Sequence, residues 1–310
     1  MTYNSNAYSA KKQKKAETDS PENLLDPAKV QWVKVAPNKT VVATAEKTYL
    51  VDPNTDKRST LHKFLQDRPT NLIEGTDNIA TTRKLLDGAI AAAKYTINSN
   101  VRPPALTSTR WVWRLAGAYH MCHAYPPLIE EAAIGFAAAE RWNLAEWALQ
   151  KAKEEKGHYR LALLDIRSMG YDAEAVVEAL VPPAAVTLID YLTRSAQDDD
   201  PIDCVGYSYT LERLSTGMVD EKYIQQVEML LSSNTHATRC LRVHSSVGDD
   251  AEHVEETAEM VAELTAKERV RIARACYETA LLCFSPPSEG YISDKKLQQI
   301  LKPLKLRKSL

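Results

Sequence analysis

Two short strings of acidic and histidine residues have the spacing of a metal site built on helices. One is Glu155-Lys156-Gly157-His158, and the other, later in the chain, is Asp250-Ala251-Glu252-His253. Positions three apart lie on one face of a helix, so each string can direct a carboxylate and an imidazole toward one point. Helical bundles hold two iron or manganese ions with such pairs. The spacing therefore predicts a two-metal centre between helices.

The same pairs could also arise by chance. With 41 acidic residues in 310 positions, seven histidines should produce roughly one acid-x-x-His pair, and the chain has two. Ordinary explanations exist for each residue. Glu155 lies in a run typical of a solvated helix face, and Glu212 could pair with Arg213. Asp250 could stabilise a helix start through the helix dipole, and His253 could lie on the surface.

Composition limits the classes of function. The 39 basic and 41 acidic residues give a net charge of −2 and are mixed along the chain, which argues against nucleic acid and membrane surfaces as partners. We expect a small-molecule or protein partner instead. The chain has no G-x-S-x-G, Walker-type, H-E-x-x-H or dinucleotide-binding motif, so hydrolase and nucleotide chemistry have no support from motifs.

Cysteine usage and apolar runs bear on the cellular compartment. The five cysteines are odd in number and form no C-x-x-C pair, which is typical of free thiols in a reducing compartment. No apolar run reaches the length of a transmembrane helix, and the N-terminus lacks the apolar core of a signal peptide. These features predict a cytoplasmic protein.

Three regions differ in composition. Residues 1–25 are polar and rich in lysine, which predicts a disordered tail. Residues 26–105 form an appendage, in which β-branched runs on either side of Pro37-Asn38-Lys39 predict a hairpin and residues 78–95 predict a helix. Residues 106–310 have the composition and apolar spacing of helices. The predicted fold class is all-α, a helical bundle with a small N-terminal β-hairpin appendage.

Capping and breaking residues outline the helix that carries the first string. The run 143–146 resembles a capping box, and no breaker other than Gly157 occurs before Gly170. One helix of about 26 residues is therefore predicted to hold both Glu155 and His158.

The stretch 128–142 is also predicted to be helical. It should turn tightly near Trp142 and form an antiparallel hairpin with the helix that follows. Residues at equal distances from such a turn lie level with each other, so Glu130 or Glu131 would face Glu155. We take Glu131 as the ligand.

Later helices can complete the ligand set. Glu212, Asp250 and His253 would supply further ligands, with Glu155, Glu212 and Asp250 as the catalytic carboxylates. Tyr209 lies three positions before Glu212 and hence on the same helix face. There it could donate a hydrogen bond to a ligand or contact the substrate.

The runs 155–171 and 244–256 resemble the haem-oxygenase-like di-iron oxidases and oxygenases, and the resemblance covers about residues 106–285. That family is similar in using Glu-x-x-His on one core helix, a single Glu later in the chain, and His-x-x-x-Asp-x-x-His on a further helix. The resemblance implies a haem-oxygenase-like bundle and the metal ligands Glu155, His158, Glu212, Asp250 and His253, to which the hairpin argument above adds Glu131.

One position departs from the family pattern. The first His of the last motif would fall on Ser246, whereas His244 lies two residues earlier. Either the segment bulges around Gly248 so that His244 still reaches the metal, or one ion has one protein ligand fewer. We expect His244 to be a ligand.

The resemblance also implies a reaction. Such enzymes hold two Fe(II) ions, with Mn as another option, and use O2 as co-substrate to oxidise an amino acid or a fatty acid by desaturation, C–C cleavage, hydroxylation, N-oxygenation or ring closure. We expect an amino acid as substrate, in the biosynthesis of a specialised metabolite, since no long apolar channel is evident in the sequence. An electron donor and a homodimer also fit the family.

A substrate carboxylate would need a cation near the metals. Arg242 is the favoured partner, because positions 242, 246, 250 and 253 share one face if their helix is continuous. Arg239 and Arg114 are weaker candidates. A surface ion pair is the ordinary explanation for each arginine.

Two other classes of function stay open. A metal-free member of the same architecture, such as a thiaminase-like hydrolase or a cofactorless oxidase, would not need Glu155, His158 and Glu212 to converge. A helical scaffold protein would leave these carboxylates facing solvent.

Overall fold

The computed structural model describes residues 30–51, 78–97, 101–231, 235–245 and 250–307, apart from the side chains of Asp250 and Ala251. The predicted tail at 1–25 and the interruption expected at Gly248 lie outside the described residues.

These residues form mainly α-helices, with one small sheet at the N-terminal side. The predicted class, an all-α body with a small N-terminal β element, is confirmed. The strands are β1 (Gln31–Ala36), β2 (Lys39–Ala43) and β3 (Thr48–Val51). The helices are α1 (Ile79–Thr96), α2 (Ser108–Ala138), α3 (Trp142–Glu155), α4 (Tyr159–Ser168), α5 (Ala173–Ala179), α6 (Pro183–Ala196), α7 (Asp203–Met218), α8 (Glu221–Met229), α9 (Arg239–Val243), α10 (Asp250–Ala262), α11 (Ala266–Phe284) and α12 (Asp294–Leu301).

The sheet is antiparallel with strand order β1-β2-β3. Strands β1 and β2 are the predicted hairpin, in which Val33 pairs with Val41. The third strand was not predicted, because its four residues are too few for an alternating pattern to be recognised. Helix α1 packs closely on this sheet at Gly88, where an added Cβ would lie 2.4 Å from Thr48 Cγ2. The sheet and the helical body therefore share one apolar core.

Helices α2 and α3 form the predicted antiparallel hairpin. The tight turn falls immediately before Trp142, where Glu140 has a φ of 59°. Helix α2 is 31 residues long and starts well before the predicted segment. Its start is capped by Thr107, whose side chain accepts a hydrogen bond from the amide of Arg110.

The prediction of one continuous helix through Glu155 and His158 is wrong. Helix α3 ends at Glu155 and helix α4 begins at Tyr159. Between them Gly157 has a φ of +96°, a left-handed conformation that an α-helix cannot contain and that glycine adopts without strain. The chain changes direction at this residue, so the first string lies on a turn between two helices.

Helices α7 and α10 pack against each other and against the core formed with α11. Helix α7 approaches α11 closely at Gly206, where an added Cβ would lie 2.5 Å from the carbonyl oxygen of Ile272. Glu212 lies on α7 and His253 on α10. This packing brings both residues near the end of α3.

No single helix among the described ranges is long and apolar enough to cross a membrane. Helices α5 and α6 together meet the length and composition criteria, but they are bent by 78° relative to each other.

Candidate metal centre

Glu155, His158 and His244 meet at one point, where the end of α3, the start of α4 and the end of α9 come together. Their potential ligand atoms all lie within 4.8 Å of one another. Nδ1 of His158 lies 2.9 Å from Oε2 of Glu155, and Nε2 of His244 lies 3.8 Å from the same oxygen. The two imidazole rings are 5.0 Å apart and inclined by 71°. Three ligand side chains thus surround a single position.

The turn at Gly157 is what brings the first two side chains together. Its backbone conformation folds the chain back after Glu155, so that His158 reaches the carboxylate across the turn. The spacing of three residues predicted this contact, but through a continuous helix rather than through a turn.

A buried aspartate on α4 anchors the helix that ends at His244. The carboxylate of Asp165 is fully buried and accepts hydrogen bonds from the amides of Arg239 and Cys240, at 3.2 Å and 3.0 Å. Its Oδ1 also lies 3.1 Å from Nη1 of Arg239. These contacts cap the N-terminus of α9. Because Asp165 and His158 belong to the same short segment, the anchor aligns both histidines of the cluster.

The carboxylate of Glu155 is mostly buried, with 13% of its side chain exposed. Burial by itself raises the pKa of this carboxyl. The hydrogen bond with His158 and the charges of the nearby imidazoles outweigh that effect, so the pKa lies below its usual value. The carboxylate of Glu155 is therefore ionised at neutral pH, the form in which it could bind a metal ion.

A second group of polar side chains adjoins the first. Nδ1 of His253 lies 4.0 Å from Oε1 of Glu212, and Nε2 of His253 lies 3.3 Å from Oε2 of Glu154. Within the described part of the chain, Nδ1 of His253 is buried without a hydrogen-bond partner. Buried polar atoms of this kind usually have a partner, so an ion is a fitting occupant.

Lys151 lies inside this second group and was not identified from the sequence. Its side chain is 3% exposed, and its Nζ lies 3.3 Å from Oε1 of Glu212 and 3.5 Å from Oε2 of Glu154. A lysine is almost never buried unless it is paired. Lys151 lies four residues before Glu155 and hence on the same helix face, and this spacing could have identified it as a residue of the site.

The residues of the site fit a divalent transition ion. Two imidazoles and one carboxylate around one position are the donor set of non-haem Fe(II) centres that keep coordination positions open. Glu155, His158 and His244 supply this set of one carboxylate and two imidazoles. The second group offers a carboxylate and an imidazole, but it also holds the ammonium group of Lys151.

Several predicted site residues lie elsewhere. Glu130 and Glu131 are exposed on α2 and do not join the cluster. Helix α2 instead presents Cys122 and Tyr125 to the site, and both lie farther from the hairpin turn than Glu130 and Glu131. The side chain of Asp250 is outside the described residues.

Tyr209 and Arg242 also point away from the cluster. The hydroxyl of the buried Tyr209 donates to Oδ1 of Asp87 at 3.0 Å. Arg242 forms ion pairs with Glu221 and Glu228, at 3.1 Å and 2.9 Å. The predicted continuous helix through position 242 is absent, because α9 ends at Val243, so the shared face on which the Arg242 prediction rested does not form.

An apolar cavity of about 400 Å³ opens from the cluster. Glu155, Glu212 and His244 lie in its wall, and Arg114 supplies a cation. The aromatic rings of Tyr125 and Tyr207 stack with centroids 6.4 Å apart along it. Most of the other lining groups are apolar or small: Trp113, Gly117, Ala118, Met121, Cys122, Pro182, Ala184, Ala185, Leu188, Ser208, Leu211 and Ser215.

Arg114 and Tyr125 both line the cavity and lie far apart along α2. The helix rises about 16 Å between these two residues. Arg114 is exposed, and its Nη1 donates to the hydroxyl of Tyr223 at 2.8 Å. Tyr125 lies beside the carboxylates, and burial together with their charges raises its pKa well above the usual value. The cavity thus has a neutral phenol near the cluster and a cation farther along α2.

Comparisons with known proteins show a similarity to a solved structure. No protein-family model matches the chain, and no curated protein matches it. The chain is similar to the crystal structure of a domain of unknown function with a heme oxygenase-like fold from Shewanella denitrificans OS217. The two share 24% sequence identity with a TM-score of 0.46, and the similarity covers 79% of this chain and 94% of that one.

Proposed function

We propose that this protein is a non-haem iron oxidase or oxygenase with a haem-oxygenase-like bundle, and that it uses O2 to oxidise a carboxylic acid. The observation that carries the proposal is the convergence of Glu155, His158 and His244 from three elements onto one position. Iron held by two imidazoles and one carboxylate keeps open positions at which O2 can be activated for attack on C–H or N–H groups.

Two Fe(II) ions are proposed, with Mn(II) as the other candidate. Glu155, His158 and His244 would hold the first ion. Glu212 and His253 would hold the second, with the proposed help of Asp250. Because the ammonium group of Lys151 lies against the carboxylate of Glu212, it repels a second cation there. We expect the second ion to bind more weakly than the first.

The side chains around the ions would orient the substrate and exclude water. The apolar wall formed by residues such as Met121 and Leu188 favours an acid with an apolar body. Arg114 would attract the carboxylate from the far part of the cavity. The hydroxyl of Tyr125 lies 2.7 Å from Oγ of Ser208, which holds the phenol in place beside the ions.

The sequence favours a small amino acid as substrate, with a fatty acid as the alternative. The roughly 16 Å of α2 between Arg114 and Tyr125 fits the alternative better if Arg114 binds the carboxylate, since a small amino acid does not span that distance. Desaturation, ring closure, hydroxylation, N-oxygenation and C–C cleavage are all compatible with such a centre, and the oxidation would serve the biosynthesis of a specialised metabolite. An electron donor and a homodimer remain part of the proposal.

A metal-free hydrolase is the second candidate, and one contact favours it. Sγ of Cys122 lies 3.7 Å from Nε2 of His244 in the cavity wall, as a nucleophile and its base would. A hydrogen bond with Cys240 and burial nevertheless raise the pKa of the Cys122 thiol well above its usual value. A thiolate nucleophile is therefore disfavoured.

The scaffold alternative requires the carboxylates to face solvent. The side chains of Glu155 and Glu212 are only 13% and 11% exposed, and both lie in the cavity wall. This arrangement differs from the one that the scaffold alternative predicts.

The test is an anaerobic Fe(II) titration of the apoprotein, followed by O2 uptake with a panel of apolar amino acids and fatty acids. We expect one tight and one weaker Fe(II) site per chain, and O2 consumption that one class of acid stimulates. Glu155→Gln should abolish the tight site, because the amide is a poor ligand of similar shape.

Glu131→Gln is the matched control, since it changes an exposed carboxylate on the neighbouring helix. It should leave Fe(II) binding unchanged. Equal Fe(II) binding by the parent and by Glu155→Gln would show the iron proposal to be wrong.

A further inference from the structure

A second cluster of metal-binding side chains lies directly beside the carboxylate-histidine centre. Cys122 of α2 and Cys240 of α9 approach His244, and the ligand atoms of all three lie within 4.8 Å of one another. Cys240 is buried, and the other two residues are partly buried in the cavity wall. We propose that Cys122, Cys240 and His244 form a zinc site that shares His244 with the iron centre.

The donor atoms favour zinc over the harder ions. Two thiolates and one imidazole are soft to borderline ligands, which select Zn(II) or Cu(I) rather than Mg(II), Ca(II) or Mn(II). On binding, the two thiols would release their protons to solvent, and the resulting thiolates would neutralise the charge of a divalent ion. The fourth tetrahedral position would be left for water, in the manner of zinc sites with three protein ligands.

The distance between Sγ of Cys122 and Nε2 of His244 already matches that of two ligand atoms on a tetrahedral zinc ion. Zinc bonds of about 2.3 Å to sulfur and 2.0 Å to nitrogen place the two ligand atoms about 3.5 Å apart at a tetrahedral angle. Sγ of Cys122 lies 3.7 Å from Nε2 of His244. An ion could therefore enter between these atoms with little movement of either side chain.

The backbone holds two of the three ligands in register. Cys240 and His244 are four residues apart at the two ends of α9, so they project on the same side. Asp165 anchors this helix through the amides of Arg239 and Cys240. The anchor that orients His244 for the iron centre thus also orients Cys240 toward Cys122.

Sharing of His244 makes the two sites compete. Its Nε2 atom is 3.8 Å from the carboxylate of Glu155 and 3.7 Å from the sulfur of Cys122. The lone pair of Nε2 can bind only one ion. Zinc bound to the two thiols and His244 would therefore leave only Glu155 and His158 to bind iron. Zinc would then exclude iron from the tight site. Only this regulatory consequence rests on the proposed function, whereas the zinc site itself does not.

The test uses Zn(II) alone, added to the full-length apoprotein under reducing conditions. We expect one zinc per chain, and X-ray absorption at the zinc edge should show two sulfur scatterers at about 2.3 Å. A zinc ion with only nitrogen and oxygen neighbours would overturn the proposal. This measurement needs no variant, so it stands even if a cysteine substitution prevents folding.

Co(II) provides a second probe, because a thiolate bound to Co(II) gives an intense charge-transfer band in the near ultraviolet. The band should be present in the parent and lost in Cys122→Ser and Cys240→Ser. Cys204→Ser is the matched control, since it alters a buried thiol outside this cluster, and it should keep the band. A band that survives Cys240→Ser would contradict the assignment.

Glu155→Gln separates this proposal from the iron proposal. It should weaken Fe(II) binding and leave the Co(II)-thiolate band intact. If the parent protein binds no Fe(II) but shows the Co(II)-thiolate band, the iron proposal is wrong and the zinc proposal stands. If the parent protein binds Fe(II) as expected but shows no Co(II)-thiolate band, the zinc proposal is wrong and the iron proposal stands.

Discussion

The ammonium group of Lys151 lies 3.3 Å from the carboxylate of Glu212, and both side chains are buried, at 3% and 11% exposure. The pair joins α3 to α7 at the site where the second iron ion is proposed. A cation from the protein itself thus balances carboxylates that would otherwise be buried as uncompensated charges.

Lys151→Met should therefore destabilise the metal-free protein by roughly 3 kcal/mol, because it leaves a buried carboxylate without its partner. Added Mn(II) should restore more stability in this variant than in the parent, since the ion replaces the lost positive charge. Thermal unfolding with and without Mn(II) measures both effects. Lys153→Met is the matched control, because Lys153 is exposed on the same helix; it should change neither value. A metal-free Lys151→Met protein as stable as the parent would contradict this account.

Asp165→Ala should weaken both the fold and the first metal site. It removes the cap of α9 and leaves the Arg239 guanidinium without its buried partner, at a cost of about 2 kcal/mol in the free energy of unfolding. Because α9 positions His244, Fe(II) affinity should fall as well, by at least about tenfold.

Asp172→Ala is the control for the anchor. Asp172 caps α5 through the amide of Ala175, away from the cluster, so its loss should cost about 1 kcal/mol and leave Fe(II) affinity unchanged. Chemical denaturation and Fe(II) titration of the two variants check the difference. Equal Fe(II) affinity in both would show that the Asp165 anchor does not position the ligand.

Gly206→Ala should destabilise the protein by about 1–3 kcal/mol, since the new methyl group would lie 2.5 Å from the carbonyl oxygen of Ile272 and force α7 away from α11. Gly217→Ala lies on the same helix, where the nearest atom to the new Cβ is 3.8 Å away. That change should be neutral or stabilising by up to about 1 kcal/mol, because alanine favours helix. Urea unfolding of both variants makes the comparison, and similar midpoints for the two would refute it.

Burial should make two thiols unreactive in the native protein. It raises the pKa of Cys276 and of Cys283 to about 12, from an ordinary value of 9.0. The thiolate fraction near pH 8 falls by roughly a thousandfold for such a shift, and alkylation should slow accordingly. Iodoacetamide labelling followed by mass spectrometry checks this, with urea-unfolded protein as the control. Labelling of Cys276 at equal rates in both states would contradict it.

The same shift has a consequence for alkaline stability. Because the folded-state pKa of these thiols is raised, their contribution to stability is fully present below about pH 9 and is lost as pH rises toward 12. Replacement of Cys276 by alanine should reduce the loss of stability over this range. Unfolding midpoints at several pH values measure the effect.

Local sequence patterns predicted the secondary structure well. The β1–β2 hairpin, helix α1 and the α2–α3 hairpin with its turn beside Trp142 follow from alternation and apolar spacing, which act over a few positions. The capping box predicted at 143–146 does not form, because α3 begins at Trp142 after Arg141, without a side-chain cap. The prediction failed at Gly157, because glycine tolerates both a helical and a left-handed conformation. Only the surrounding packing selects between them.

For the candidate site, the sequence by itself determined the contact between Glu155 and His158, since three residues of spacing bring them together on either a helix or a tight turn. The family resemblance had led us to expect His244 as a ligand, and the tertiary structure decided between the two arrangements left open there by bringing His244 to Glu155 and His158. Tertiary structure alone decided that Lys151 is buried against Glu212, and that Arg242, Tyr209 and Glu131 lie elsewhere. These outcomes depend on how separate helices pack and which faces they present. Local spacing does not encode that arrangement, because it arises from the burial of apolar surface over the whole chain.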